Sequence, residues 1–223
     1  QVDHAAKGTE LARVEDGEWD PSNPNVFYFL TTESNKDPGA TTPNPATPSV
    51  SRDGGALWKL TFVDGQKPEL GAKLEMLLDG TEAPFLSKPD NLAVTSDGVI
   101  LIQEDPGNNA QVARIVAFRV KDSKLATVAQ FNSDYFATGA SKFMTTDEES
   151  SGIIDVTSMM AKPGDTKKYF YFNAQVHTTG AYTARPDLTT KSASGILKFN
   201  QKTLEGGGYY SLVISDWKTV FGS

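Results

Sequence analysis

The chain has 223 residues, of which 38% are hydrophobic, and it includes 12 Phe, 7 Tyr and 3 Trp. This length and apolar content are enough for one domain with a substantial core, or for two small domains, and they exclude global disorder. The net charge of −7 and the lack of a basic run exclude nucleic acid as the main partner. Because the chain has no cysteine, its residues form no disulfide, thiolate metal site or cysteine nucleophile.

The start of the chain leaves the question of export open. It begins at Gln1 and has no apolar run of about 18 residues, so we predict no transmembrane segment. A start other than Met fits either an exported protein after processing or a chain whose beginning is missing.

Short apolar runs rich in aromatic and β-branched residues are separated by Gly, Pro, Asn and Asp, which is typical of strands. Nine strands are predicted, at 26–32, 55–62, 72–78, 99–104, 112–120, 125–131, 169–176, 195–200 and 209–214. Helix is predicted only as a turn or two at 156–161 or 216–221. The predicted fold class is therefore all-β.

The nine strands form three groups, and each group follows a polar segment with carboxylates. These segments are Glu15-Asp16, Asp90-Asn91 and Asp147-Glu148-Glu149. The second strands, at 55–60, 113–118 and 195–199, are similar in sequence, and each is predicted to pair with the strand before it. Repeated antiparallel units are typical of a β-propeller, which needs about four to eight blades to close.

We therefore predict that residues 1–223 form a single partial β-propeller, with about three blades of a six-bladed ring and the rest outside this sequence. The alternative is an irregular β-sandwich. Two long loop insertions, 33–54 and 177–194, are predicted to project from the same face. Loops of this length are either functional covers or disordered surface segments.

A propeller gathers its innermost strands around an axis, so the carboxylates of the three groups are expected to converge. The oxygen donors are Glu15, Asp16, Asp90, Asn91, Glu104, Asp105, Asp147, Glu148 and Glu149. Such a group repels itself without a cation. Calcium takes six to eight oxygen ligands and suits it, as do iron and manganese, whereas two histidines exclude a zinc site built from several. The alternative for each acidic pair is a solvated turn.

Three segments carry a family resemblance. Arg13-Val14-Glu15-Asp16, with the strand at 26–32, resembles an Arg-Pro-Glu-Asp motif and its following strand. Pro89-Asp90-Asn91-Leu92, with 97–105, resembles a second motif, and Gln175-Val176-His177 resembles a Gln-His-Pro-Gly-Glu stretch. These motifs belong to the PhoX-type alkaline phosphatases and their uncharacterised relatives. The likeness fits the later half of that family and is strongest over residues 1–120.

The resemblance implies an exported six-bladed propeller, periplasmic or extracellular, that hydrolyses small phosphate esters with calcium and iron in its channel. It implies that Glu15 is a metal ligand, that Asn91 lies near the phosphate and metals, and that Glu104 is a further ligand. These three residues would carry catalysis, and Asp16 and Asp90 are further motif positions. The metals would polarise the phosphoryl oxygens and supply an oxo or hydroxide nucleophile.

The sequence departs from the family at three points. Val14 replaces the motif proline, the stretch after His177 lacks the Pro and the terminal Glu, and the iron-ligating cysteine is absent. Two functions therefore stay open. One is a metal-dependent phosphoester hydrolase. The other is a non-catalytic, calcium-stabilised propeller that serves as an exported binding or assembly module, associating with the rest of the ring or with other copies.

Overall fold

A computed structural model describes most of the chain, and the statements below concern its described residues. These are 8–9, 11–33, 42–44, 47–52, 54–106, 111–177, 191–192, 195–196 and 205–222. They are mostly β and form three antiparallel sheets of three or four strands, together with two small two-stranded sheets. The all-β prediction is confirmed. None of the described helices is long and apolar enough to cross a membrane.

Sheet 1 occupies the first third of the chain. In chain order the strands are β1 (Val14–Trp19), β2 (Val26–Thr31), β3 (Thr42–Asn44), β4 (Thr47–Arg52), β5 (Ala56–Phe62) and β6 (Ala72–Leu78). Sheet 1 has the order β1-β2-β5-β6, and β3 and β4 pair separately. A short 3₁₀ turn, Pro68–Leu70, precedes β6.

Sheet 2 is a meander of consecutive strands. They are β7 (Pro89–Val94), β8 (Val99–Glu104), β9 (Arg114–Arg119) and β10 (Lys124–Gln130). Gly98 has φ +76° in the turn between β7 and β8, a conformation that favours glycine. Strand β8 is buried along its whole length, because another sheet covers each face of sheet 2. A single helical turn, α1 (Ser133–Phe136), follows β10.

Sheet 3 completes the described chain. Its region contains β11 (Glu148–Asp155), α2 (Thr157–Met160), β12 (Lys168–His177), β13 (Lys191–Ser192), β14 (Gly195–Ile196), β15 (Glu205–Ile214) and α3 (Trp217–Phe221). Sheet 3 has the order β11-β12-β15, and β13 pairs with β14 apart from it. The predicted helical turns at 156–161 and 216–221 are confirmed as α2 and α3.

The three sheets are stacked in chain order, with one apolar layer between sheets 1 and 2 and another between sheets 2 and 3. The layer between sheets 1 and 2 includes Leu30 and Leu57 from sheet 1 and Ile102 from sheet 2. The layer between sheets 2 and 3 includes Leu101 from sheet 2 and Phe170 from sheet 3. Strand β7 contacts both β1 and β11, so the first strands of the three sheets lie side by side. This arrangement brings the predicted carboxylate segments together.

One predicted pairing is wrong. The strand beside β12 in sheet 3 is β15, with Lys168 opposite Ile214 and His177 opposite Glu205, rather than a strand at 195–200. Gly195–Ile196 pairs instead with Lys191–Ser192, and 197–200 lies outside the described residues. Similarity to the second strands of the other groups therefore did not determine the pairing.

Much of the predicted insertions at 33–54 and 177–194 also lies outside the described residues, although the first contains β3 and β4.

Candidate functional site

The predicted carboxylates lie at the N-terminal ends of β1, β7 and β11 and in the segment after β8. Those that influence one another electrostatically here, termed the acidic rim, are Glu15, Asp16, Asp90, Asp105, Asp147 and Glu149. They come from all three sheets, because the first strands of those sheets are neighbours. These partly buried carboxylates are therefore near enough to repel one another.

Asp90, near the start of β7, is close to several other acids. Burial, together with the nearby charges of Glu15 and Asp105, raises the pKa of Asp90 to about 6, while Arg13 opposes the rise. Desolvation and like charges both disfavour the ionised carboxylate. Asp90 is thus a carboxylate whose charge a bound cation would stabilise.

Glu149 shows the same effect more strongly. Burial is the main cause that raises the pKa of Glu149 to about 8. The charge of Asp105 and a hydrogen bond between the side chains of Asp105 and Glu149 also contribute to this value. The imidazole Nε2 of His177 lies 3.8 Å from Glu149 Oε1, and Gln175 Nε2 lies 2.9 Å from the same imidazole nitrogen. The motif residues Gln175 and His177 are therefore beside the acidic rim.

Glu148 is buried between sheets 2 and 3, next to the acidic rim. It is 1% exposed, and its Oε1 accepts a hydrogen bond from the Ala113 backbone N–H at 2.9 Å. Burial raises the pKa of Glu148 to about 7, and the charges of Asp147 and Asp105 contribute to this value. Its Oε2 is buried and has no hydrogen-bond partner among the described residues.

Glu104, predicted as a ligand, is completely buried beside a cation. Arg114 donates to both of its carboxylate oxygens, from Nε to Oε2 at 2.8 Å and from Nη2 to Oε1 at 2.5 Å. The Ser87 N–H also donates to Oε1 at 2.8 Å. Burial raises the pKa of Glu104, and the Arg114 guanidinium opposes that rise. Glu104 is therefore neutralised by the protein itself.

Two other predicted residues connect neighbouring sheets. Asp16 Oδ2 accepts from the Leu92 N–H at 3.1 Å, which joins β1 to β7. Asn91 Oδ1 accepts from the Gly152 N–H at 3.2 Å, which joins β7 to β11. Backbone donors along the first strands thus find partners in side chains of the adjacent sheet, as buried amides require.

Glu18 and Gln103 make the same kind of contact, although neither belongs to a motif that marks it as functional. Glu18 Oε2 accepts from the Val94 N–H at 2.6 Å, and Gln103 Oε1 accepts from the Ile153 N–H at 2.9 Å. Only the register between neighbouring sheets identifies these contacts, and no sequence motif encodes that register.

A cationic side chain also lies at the acidic rim. The guanidinium of Arg13 lies 3.1 Å from Glu15 and 3.4 Å from Glu33, and the Arg13 side chain is 55% exposed. It therefore offsets part of the negative charge while remaining accessible to solvent. Arg13 could have been selected from the sequence, because it stands beside Glu15 in the first motif and a guanidinium suits phosphate recognition.

Within the described ranges, no three His, Asp or Glu side chains converge closely enough to hold a metal ion. The acidic rim is therefore a spread group of carboxylates whose side chains would have to draw together around a cation. Comparisons with protein-family models, with curated proteins and with solved structures gave no match.

Proposed function

We propose that the acidic rim binds a divalent cation, calcium in the first instance. The observation that supports this is the raised pKa of Asp90 and of Glu149, from carboxylates that three different sheets bring together. Oxygen donors from carboxylates are the ligands that calcium prefers, and its adaptable coordination tolerates a site that closes on binding. The cation would replace repulsion between these acids with attraction.

Titration calorimetry with calcium chloride tests the proposal. Asp90→Asn with Glu149→Gln should weaken binding by about tenfold or more, because two anionic ligands are lost. Glu69→Gln is the matched control, since Glu69 is an exposed acid in the 3₁₀ turn, outside the acidic rim. Absence of calcium binding by the unaltered protein at millimolar concentration would contradict the proposal.

We propose further that the three sheets are blades of a β-propeller, about half of a six-bladed ring. The side-by-side first strands support this, as does the stacking of consecutive antiparallel sheets. Both outer faces of the stack also keep large apolar side chains exposed, including Trp19 at 46% on sheet 1 and Ile154 at 54% on sheet 3. The intact mass of the protein from its source tests this: about twice the mass of these residues is expected, and an equal mass would contradict it.

Phosphoester hydrolysis is the second candidate function, and Arg13 is the observation that favours it. Its exposed guanidinium lies beside the motif residue Glu15, where it can donate to a phosphoryl oxygen. The rim cation would add Lewis-acid polarisation of that oxygen. Among the residues expected to carry catalysis, Glu15 lies at the rim and Asn91 bonds to β11, whereas Glu104 is paired with Arg114.

Release of p-nitrophenol from p-nitrophenyl phosphate distinguishes the two functions. A hydrolase is expected to release it with calcium and iron present, to stop when EDTA is added, and to lose activity in Glu15→Gln but not in Glu69→Gln. Calcium binding without any release would instead identify the non-catalytic, calcium-stabilised module. Both outcomes are compatible with an exported protein.

A further inference from the structure

A cavity of about 380 Å³ lies between sheets 2 and 3. Its walls come from the beginning of β9, the end of β10, α1, and the facing strands of sheet 3. This volume is within the range of pockets that bind small molecules. The cavity is separate from the acidic rim, and none of the rim carboxylates lines it.

Short side chains from both sides contribute to the lining of the cavity. Ala113 and Ala129 line it from sheet 2, and Ala174 lines it from β12. Between sheets 1 and 2, by contrast, larger side chains such as Leu57 and Leu86, both fully buried, fill the layer. The space is open to solvent on one side, because Gln130, Asn132 and Tyr210 of its lining are exposed.

Aromatic rings form two opposite walls. Phe131 and Phe136 meet edge to face with centroids 5.3 Å apart, and Phe172 and Tyr210 stack with centroids 5.6 Å apart. Tyr210 is 52% exposed, so the cavity reaches solvent along this ring. Such walls favour a flat aromatic or compact branched apolar molecule.

The inner wall carries a polar group without a partner. Ser150 is 2% exposed and lines the cavity, and its Oγ has no hydrogen-bond partner in the part of the chain that the structure describes. Glu148 is two residues earlier on the same face of β11, and its Oε2 is likewise buried without a described partner. Opposite them in β12 are Ala174 and Val176, which also line the cavity.

A buried hydroxyl left without a partner is unfavourable, typically by about 1–3 kcal/mol. A ligand that supplies a donor at this point would remove that cost, while its apolar part would fill the space between the rings. We propose that this cavity binds a small aromatic or branched apolar molecule whose single hydroxyl or amino group donates a hydrogen bond to Ser150 Oγ. Such a molecule differs from a phosphate ester, because the only guanidinium among the lining residues, that of Arg114, is already bound to Glu104.

Phenol and toluene are the probes, because they differ only in a hydroxyl against a methyl group. Titration calorimetry or ligand-observed NMR on the whole chain should show phenol binding more tightly than toluene. Ser150→Ala should weaken phenol binding by about tenfold, the effect of one hydrogen bond, and leave toluene binding unchanged. Equal loss of both probes in Ser150→Ala, or no difference between them in the unaltered protein, would overturn the assigned role of Ser150.

Filling the cavity provides the second arm. Ala174→Leu should abolish binding of both probes without lowering the melting temperature, because the added methylenes occupy the existing space. Ala129→Val is a smaller filling variant for use if Ala174→Leu does not fold. Ala72→Leu, at an exposed position in β6, is the matched control and should bind like the unaltered protein. Undiminished phenol binding by a folded filling variant, or no binding of either probe at millimolar concentration, would overturn the proposal.

Discussion

The ion pair between Glu104 and Arg114 connects β8 to β9 inside the protein. The Glu104 side chain is fully buried, and the Arg114 side chain is 9% exposed. Arg114 also donates to the carbonyl oxygens of Pro84 at 2.9 Å and Phe85 at 2.8 Å, so the guanidinium holds the loop before β7 against sheet 2. Every charged atom of the pair thus has a hydrogen-bond partner, the condition under which a buried ion pair is tolerated.

Arg114→Met should destabilise the protein by about 3–5 kcal/mol, because it leaves the Glu104 carboxylate buried without its partner. Urea unfolding followed by fluorescence measures the change. Lys73→Met is the control, since Lys73 pairs with Glu75 at the surface with its side chain 72% exposed, and surface pairs contribute little. Equal stability of Arg114→Met and Lys73→Met would show that the buried pair has no special role.

The sequence identified Glu104 by its motif position but gave no indication of its partner. Arg114 is the first residue of β9, and only the register of β9 against β8 places its guanidinium on Glu104. Asp90 and Glu149 were easier to predict, because each lies near the start of the first strand of its sheet. The position of carboxylates at the starts of repeated strands is therefore predictable here. An ion pair that depends on the register of two strands, such as that of Glu104 with Arg114, is not.

At the scale of elements, the first strand of each sheet has carboxylate or amide side chains near its start. Strands β1, β7 and β11 contain the carboxylates and were read from the sequence as polar segments before the strands. Their polar side chains accept hydrogen bonds from backbone N–H groups of adjacent sheets, as Asp16 does from Leu92. Alternating apolar residues signal strands that pack on a core, so strands held by such bonds gave no signal.

Most of the remaining strands were predictable because they consist mainly of apolar residues, without a polar segment at the start. The predicted strands 72–78 and 99–104 agree with β6 and β8 at both ends, and the other apolar strands of sheets 1 and 2 agree within two residues. In sheet 3, β12 agrees within one residue, but β15 begins at Glu205, well before the predicted start. Its first part, Glu-Gly-Gly-Gly, carries no strand pattern, and pairing with β12 is what holds it extended.

Gln103 provides the test at this scale. Gln103→Met keeps the length of the side chain but removes the acceptor for the Ile153 N–H, so we expect destabilisation by about 1–3 kcal/mol. The Ile153 amide should also exchange its hydrogen faster. Leu101→Met on the same strand is the control, because both side chains are fully buried and a volume-conserving change costs little. An unchanged exchange rate at Ile153 would show that the inter-sheet bond is unimportant.

At the scale of the whole molecule, Asp90 and Glu149 of the acidic rim, together with the buried Glu148 beside it, oppose folding as they ionise. The pKa is raised to about 6 for Asp90, about 7 for Glu148 and about 8 for Glu149, from ordinary values of 3.8 for Asp and 4.5 for Glu. Between those ordinary values and the raised ones, the folded chain binds more protons than the unfolded chain. The free energy of unfolding must therefore fall as pH rises through this window.

The opposite effect applies at lower pH. Hydrogen bonds from Thr95, Trp217 and Lys168 lower the pKa of Asp97 despite its burial, so this carboxylate stabilises the fold above its ordinary value of 3.8 and ceases to do so in acid. The acids with raised pKa values and Asp97 with its lowered pKa together predict maximal stability near pH 4–5. This is more acidic than the range of about pH 5–8 that is usual for proteins. Melting temperatures measured between pH 4 and pH 8 at constant ionic strength should show this maximum.

Calcium should remove most of the loss of folding stability at high pH. At pH 8 Asp90 is ionised and Glu149 is about half ionised, whereas at pH 5 both hold their protons, so millimolar calcium should raise the melting temperature more at pH 8. Glu149→Gln carries a permanently neutral amide where the protonated acid would be, so it should flatten the decline between pH 5 and pH 8 even without calcium. Glu69→Gln should retain the slope of the unaltered protein. A melting temperature that rises steadily from pH 5 to pH 8 in the absence of calcium would show that the rim acids do not oppose folding, and the electrostatic basis of the proposed cation site would be lost with it.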